Sequence, residues 1–297
     1  MNFFQRLSDN SQGIFYNIIC CFFASILIAI ARHLSAEFHV FFIVMLRNFF
    51  ALVFFLPQIV RDHNKVFKTQ KINLHIWRAI NGLLSMFVWF YAISILPLSE
   101  AVAISFIAPI LTTLAAMIFL KEKVKSHIWI AVFVGFMGIL IVLRPGFKDL
   151  NIAHLAVIFS TSLWVITNLF VKVMARTERP QTIVAYMSLV MFIISIPFAL
   201  PYMKPINFEN FCYFAALGLV SNLTHIFMSR SFAKVDLSLV QPFDFTRLIF
   251  TTIIAYFTFG EIIDFWVVIG SMVILSGAII VIPKRNARLL QTGNINS

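Results

Sequence analysis

Ten apolar runs follow one another along the chain, at 14–32, 39–59, 74–95, 98–119, 127–144, 152–173, 181–202, 209–230, 236–258 and 264–283. Each approaches the ~20 residues that a helix needs to cross the hydrocarbon core of a bilayer. The pattern therefore predicts an all-α integral membrane protein with ten transmembrane helices. The runs are parted by short polar segments. The third and fourth are divided only by "ILPLSE", where Pro97 suits a break between helices. Segments 1–13 and 284–297 read as tails.

Composition agrees with the pattern. The chain of 297 residues is 61% hydrophobic and 12% charged, whereas a soluble domain is about half apolar and a quarter charged. The net charge of +11 does not imply nucleic-acid binding, because the positive residues lie in short loops between apolar runs. Cys20, Cys21 and Cys212 sit in apolar runs with no CxxC or Cys/His spacing. They read as small buried residues rather than as disulfides or metal ligands, so neither a metal nor another cofactor is expected. Ala29-Ile30-Ala31 resembles a signal-peptidase site, but the apolar stretch before it is long for a leader.

Charge also orients the chain. Sixteen Lys and Arg fall in segments on the side of the N-terminus and four on the other. The positive-inside rule then puts both termini in the cytoplasm. Arg47, Arg78 and Arg247 remain, each inside an apolar run.

An offset of 139 residues superposes the chain on itself. Glu122 of "FLKEKV" falls on Glu261 of "TFGEII", Thr112-Thr113 on Thr251-Thr252, and Leu98-Ser99 on Leu237-Ser238. The halves, 14–144 and 152–283, hold five spans each. An odd number of spans makes the second half run inverted through the membrane, an arrangement shared by many secondary transporters. Pro109 has no counterpart, since Leu248 stands at its equivalent and the second half carries Pro242 instead. The fourth and ninth spans are therefore expected to bend at different levels.

The residues "PLSEAVAISFIAPI" (97–110), "GFMGILIVLRPG" (135–146), "MLRNFF" around Arg47 and the two glutamate segments resemble the drug/metabolite transporter superfamily, in its EamA branch. The resemblance covers nearly the whole chain. It implies ten spans as two inverted five-helix repeats, a small-molecule substrate, the lipid bilayer as surroundings, and no enzyme activity. Location in a bacterial cell inner membrane follows, and a homo-oligomer is compatible with it. Within the branch, the chain is similar to S-adenosylmethionine uptake carriers. Export of amino acids or drugs is the alternative within the superfamily, and a membrane-embedded enzyme or a receptor the alternative outside it. No GxxxxGK[ST], HExxH or DxxxD motif supports ATP use or catalysis.

Candidate binding residues follow from charge at depth. In "QPFDFTRLIF", Asp244 and Arg247 are about one helical turn apart. At 1.5 Å per residue they lie ~13 Å and ~18 Å from the ends of the ninth span. A charge there costs at least ~2.5–3.5 kcal/mol and should face a polar interior. Arg47 is midway along the second span, and Glu100 opens the fourth. Asn168, Asn222 and His225 add polar points, and Tyr91, Trp89 and Trp164 aromatic faces. Arg47 or Arg247 would take a carboxylate, Asp244 or Glu100 an amine, and an aromatic ring a purine or sulfonium. Each has a plain alternative. Asp244 and Arg247 also read as an ion pair that locks packing, Glu100 as a helix cap, and the aromatic residues and His225 as interior packing. Glu122 and Glu261 read as architectural, and Gly135, Gly138, Gly270 and Gly277 as points of close helix approach.

Overall fold

The computed structural model describes residues 8–95, 104–143, 152–260 and 265–281. Helices α1 (Asp9–Ser35), α2 (Val40–Val66), α3 (Ile72–Ile95), α4 (Ala108–Phe119) and α5 (Ser126–Leu143) form the first half. The second half holds α6 (Ile152–Ala175), α7 (Pro180–Ala199), α8 (Phe208–Lys234), α9 (Leu237–Asp244), α10 (Thr246–Phe259) and α11 (Phe265–Val281). No strand occurs among the described residues. Helices α1, α2, α6, α7 and α8 are long and apolar enough to cross a membrane, and α4, α5 and α11 supply shorter apolar helices. Pro97, at the expected break, lies outside the described residues.

Local chemistry sets the helix ends. α1 opens on Ser8, whose hydroxyl accepts from the Ser11 amide, with Asp9 in the first turn and Arg32 and His33 in the last. That order of charge suits the helix dipole. Asn207 caps α8 by accepting from the Asn210 amide at 2.7 Å. α10 stops at Gly260, which adopts the left-handed conformation (φ 64°) that a residue without a side chain enters freely.

Packing repeats across the halves. α1 lies on α8 as α6 lies on α3, and α1 lies on α10 as α6 lies on α4. α2 meets α7, α5 meets α11 and α4 meets α9. Polar contacts identify which helix ends share a face. The Asp9 carboxylate at the start of α1 pairs with Lys234 at the end of α8 at 2.7 Å. Thr69, before α3, donates to Glu178, after α6, at 2.7 Å. At the other face Asn210, at the start of α8, donates to Glu37, after α1, at 2.8 Å.

Glu122 joins the halves. It follows α4 and is buried, accepting from the Leu237 amide at 2.8 Å and from the Ser238 amide and hydroxyl at 3.0 and 2.8 Å. A carboxylate on the first amides of a helix satisfies donors that have no partner within the helix. On the same turn the Lys172 ammonium, from α6, donates to the carbonyls of Phe232 and Val235. The short segment between α8 and α9 is thus held from two other helices.

The fourth and ninth spans both break, and at equivalent positions. The chain turns at Phe106-Ile107 before α4, and at Phe245 between α9 and α10. Phe106 and Phe245 differ by the repeat offset, lie 6.0 Å apart by ring centroids, and share a buried cluster with Ile139 and Ile274. A methyl group at Gly135 would overlap the Phe245 ring. α5 and α11 meet closely around it, since a Cβ on Gly138 would stand 2.9 Å from the Gly270 carbonyl. The expectation of bends at different levels is therefore wrong. Pro242 precedes its break and Pro109 follows its own, at the second position of a helix, where a missing amide costs nothing. The two breaks meet where Phe106 packs on Phe245.

Glu122→Ala strips three hydrogen bonds from one buried helix start, each leaving a donor whose desolvation costs about 1–3 kcal/mol. Thermal unfolding in detergent should fall clearly for this variant and stay unchanged for Lys123→Ala, whose side chain is exposed.

Candidate functional site

A cavity of about 220 Å³ lies between the halves, walled by α1, α2, α3, α6, α7 and α8 and by the break between α9 and α10. Apart from its charged residues the wall is soft, with Met86, Met187, Met191 and Met228 along it. Methionine adapts its shape to irregular contacts.

Asp244 and Arg247 face this cavity from either side of the break. The chain turns between them, so they do not occupy one continuous helix. Nor do they form the ion pair that is the alternative reading of the two. Asp244 Oδ1 accepts from Asn17 Nδ2 at 2.8 Å and lies 3.8 Å from Cys21 Sγ. The Arg247 guanidinium lies over Phe106, 5.6 Å from the ring centre. The Arg247 carbonyl is held by Ser25 at 3.1 Å and by Thr251 at 2.8 Å, which fixes the start of α10 against α1. Both charges oppose their half-helix dipoles. An acid ends α9 and a base stands in the first turn of α10, the reverse of what helix stability favours. Local stability does not explain this placement.

Arg47 and Arg78 line the cavity from α2 and α3. Arg47 Nη2 makes a 3.3 Å bond to Asn48 Oδ1 and sits 3.8 Å from Met191 Sδ, while its Nε has no partner among the described residues. Arg78 is 1% exposed, and its Nε and Nη2 have no such partner either. The two guanidiniums are close enough to act on each other, and both act on His225. Asn168 Oδ1 and His225 Nδ1 are likewise unpaired, and Trp164 packs beside His225 at 6.4 Å between rings. Among the described residues, no group of three or more His, Cys, Asp and Glu is placed to hold a metal ion.

Six of the nine residues singled out from sequence thus share one cavity: Arg47, Trp164, Asn168, His225, Asp244 and Arg247. Asn222 does not. It donates to the Ala51 carbonyl at 2.8 Å and ties α8 to α2. Tyr91 is 51% exposed and is not part of the wall. Both stand on helices that do contribute to the cavity, but on other faces of them. Glu100 lies outside the described residues. Sequence reasoning missed Arg78, Asn17 and the cavity-facing thiols of Cys20 and Cys21. Arg78 and Asn17 carried a usable signal, a polar group within an apolar run; the cysteines carried none.

The profile of the EamA-like transporter family matches residues 11–144 and again residues 151–282. The chain belongs to this family of transporters. An S-adenosylmethionine uptake transporter of Rickettsia prowazekii is 27% identical over 274 residues, covering 90% of this chain and 93% of the relative. A riboflavin transporter of Brucella anthropi is 29% identical over 224 residues, covering 73% and 79%. A pseudopaline exporter of Pseudomonas aeruginosa is 20% identical over 271 residues, covering 90% and 95%. A solved structure superposes with a TM-score of 0.78 at 14% identity, covering 96% of this chain and 99% of its own, and shows the fold alone. The family supports a multi-pass membrane transporter rather than an enzyme, while its members' names differ in cargo and direction.

Asn222→Ala should lower the melting temperature in detergent, by the equivalent of about 1 kcal/mol for one buried hydrogen bond. Transport per folded molecule should be unchanged.

Proposed function

We propose that this chain is a secondary or exchange carrier that moves a small, amino-acid-like metabolite by alternating access, with S-adenosylmethionine as the substrate that fits best. Its two repeats are inverted, its surroundings are the bacterial inner membrane, and both termini are cytoplasmic. The observation that carries the reading is a cavity at the seam of the halves, with ions of both signs facing into it.

Inversion is supported by the helix ends. α1 starts beside the end of α8, and α6 ends on that same face, next to the segment after α2. Equivalent helices of the halves therefore point in opposite senses. Two oppositely directed halves, hinged on level breaks, can exchange which face of the cavity is open. The cavity is smaller than the 300–1,000 Å³ common for ligand sites. Substrate entry therefore requires the halves to part.

The cavity chemistry suits a zwitterion with an extra cationic centre. Asp244 would attract the sulfonium or ammonium, Trp164 would offer a ring face, and guanidinium groups would take the carboxylate. The S-adenosylmethionine uptake transporter among the relatives supports this cargo. Alternating halves work in either direction, so the gradients of the substrate and of any coupled or exchanged species together set the direction of net flow.

Cells with a permeable outer envelope that express the chain should accumulate labelled S-adenosylmethionine, saturably and with competition by unlabelled compound. Amino acids and nucleotides in a panel should compete weakly. Asp244→Asn should cut uptake at least about tenfold at equal expression, as expected for loss of one charged partner. Full uptake by this variant would remove Asp244 from the site.

A further inference from the structure

The charges lining the cavity do not balance. Arg47, Arg78 and Arg247 face it, with Asp244 the one carboxylate among the described residues of its wall. Asp244 interacts electrostatically with Arg247, and its Oδ1 is engaged by Asn17. Nothing comparable answers Arg47 and Arg78. Among the described residues no acid lies within ion-pair distance of either.

Arg78 is the informative member. It stands only about 10 Å from the start of α3, at 1.5 Å per residue. A long side chain at that depth can reach the membrane surface, as arginines near helix ends commonly do. Arg78 instead turns inward and is 99% buried, with two of its three nitrogens unpaired. Arg47, 6% exposed, turns its own guanidinium to the same cavity, with Nε unpaired. Two like charges buried within reach of each other, each with idle donors, are costly unless a third party neutralises them. Packing gives no reason for the arrangement, since among the described residues neither guanidinium lies over an aromatic ring as Arg247 does.

We propose that Arg78 and Arg47 together form a receptor for an oxyanion of the substrate, a carboxylate in an amino-acid-like cargo; this rests on the cavity being the substrate site. The unpaired N–H groups are the donors, and two guanidinium forks suit the two oxygens of a carboxylate. Arg247 stands apart from this pair, since its guanidinium lies over Phe106 at the helix break and interacts with Asp244. The assignment makes Arg78 a specificity-determining residue. It rejects analogues that lack the anion, since these would leave both guanidiniums uncompensated. Asp244, the one carboxylate of the wall among the described residues, takes the positive centre of a bound zwitterion.

The test compares ligand pairs that differ only by the carboxylate. S-adenosylmethionine is set against its decarboxylated analogue, and methionine and leucine against their amines. Thermal stabilisation of the purified full chain is the binding readout, and uptake is measured in parallel. Wild-type protein should prefer the carboxylate member of at least one pair by about tenfold or more, as a charge-assisted bond would give. Arg78→Gln should bring that ratio near one while leaving affinity for the amine member within about twofold. Arg78→Lys keeps the charge without the fork and should give an intermediate ratio, which serves if Arg78→Gln fails to fold. A purely structural role would weaken both members of a pair equally.

Wild-type protein that discriminates no pair overturns the proposal, as does a variant whose ratio stays at the wild-type value. Stabilisation by inorganic phosphate that depends on Arg78, with none by any carboxylate, also overturns it. If S-adenosylmethionine is not bound but another carboxylate is preferred and loses that preference in Arg78→Gln, the cargo assignment falls and the receptor stands.

Discussion

Charge inside a bilayer is the constraint from which the rest of this structure follows. A buried guanidinium or carboxylate without a counter-charge is expensive in a medium of low dielectric. This chain places several of them deep in apolar helices and leaves part of their hydrogen-bonding capacity unused. Such groups persist only where they face something other than lipid. The helices accordingly turn Arg47, Arg78, Asp244 and Arg247 to one cavity at the seam of the two halves. The apolar faces are left outward, with residues such as Phe257, Phe208 and Ile279 strongly exposed.

The architecture makes that seam possible. Two helices interrupted at equivalent positions meet through Phe106 and Phe245, supported by the close approach of α5 and α11. The interruption frees backbone groups that side chains then occupy, as the Cys21 thiol and the Thr246 hydroxyl do for the Phe243 carbonyl. Irregular backbone at membrane depth is tolerated where it lines a protein cavity. Away from the cavity, Glu122 and Lys172 clasp the turn between α8 and α9 from the first half and the start of the second. The ends of the halves are therefore tied on one face, while Arg47 and Arg78 between them keep nitrogens with no partner among the described residues.

The helices and their grouping were legible in the apolar runs, because length and hydropathy are local properties of a sequence. Arg47, Asp244 and Arg247 were legible for the same reason, as ions where apolar residues surround them. Facing was not legible. Asn222 and His225 are three positions apart on α8, yet one bonds to α2 and the other faces the cavity. Only packing decides between them. Arg78 had the same sequence signature as Arg47, but it sits closer to a helix end, where a surface role is the ordinary reading. Proline spacing was a poor guide to the bends, which fall at Phe106 and Phe245, residues 139 positions apart in sequence that pack on each other.

The central claim is that this charged cavity opens to each side of the membrane in turn. Cys20 and Cys21 line it, and Cys212 is the exposed thiol. In a Cys212→Ser variant, a small membrane-impermeant thiol reagent therefore reports on the cavity alone. Applied to right-side-out and then to inside-out vesicles, it should label the cavity thiols from both sides, and a bound substrate should slow the labelling. Labelling from one side only, or from neither, in protein that is folded and transports would contradict the account.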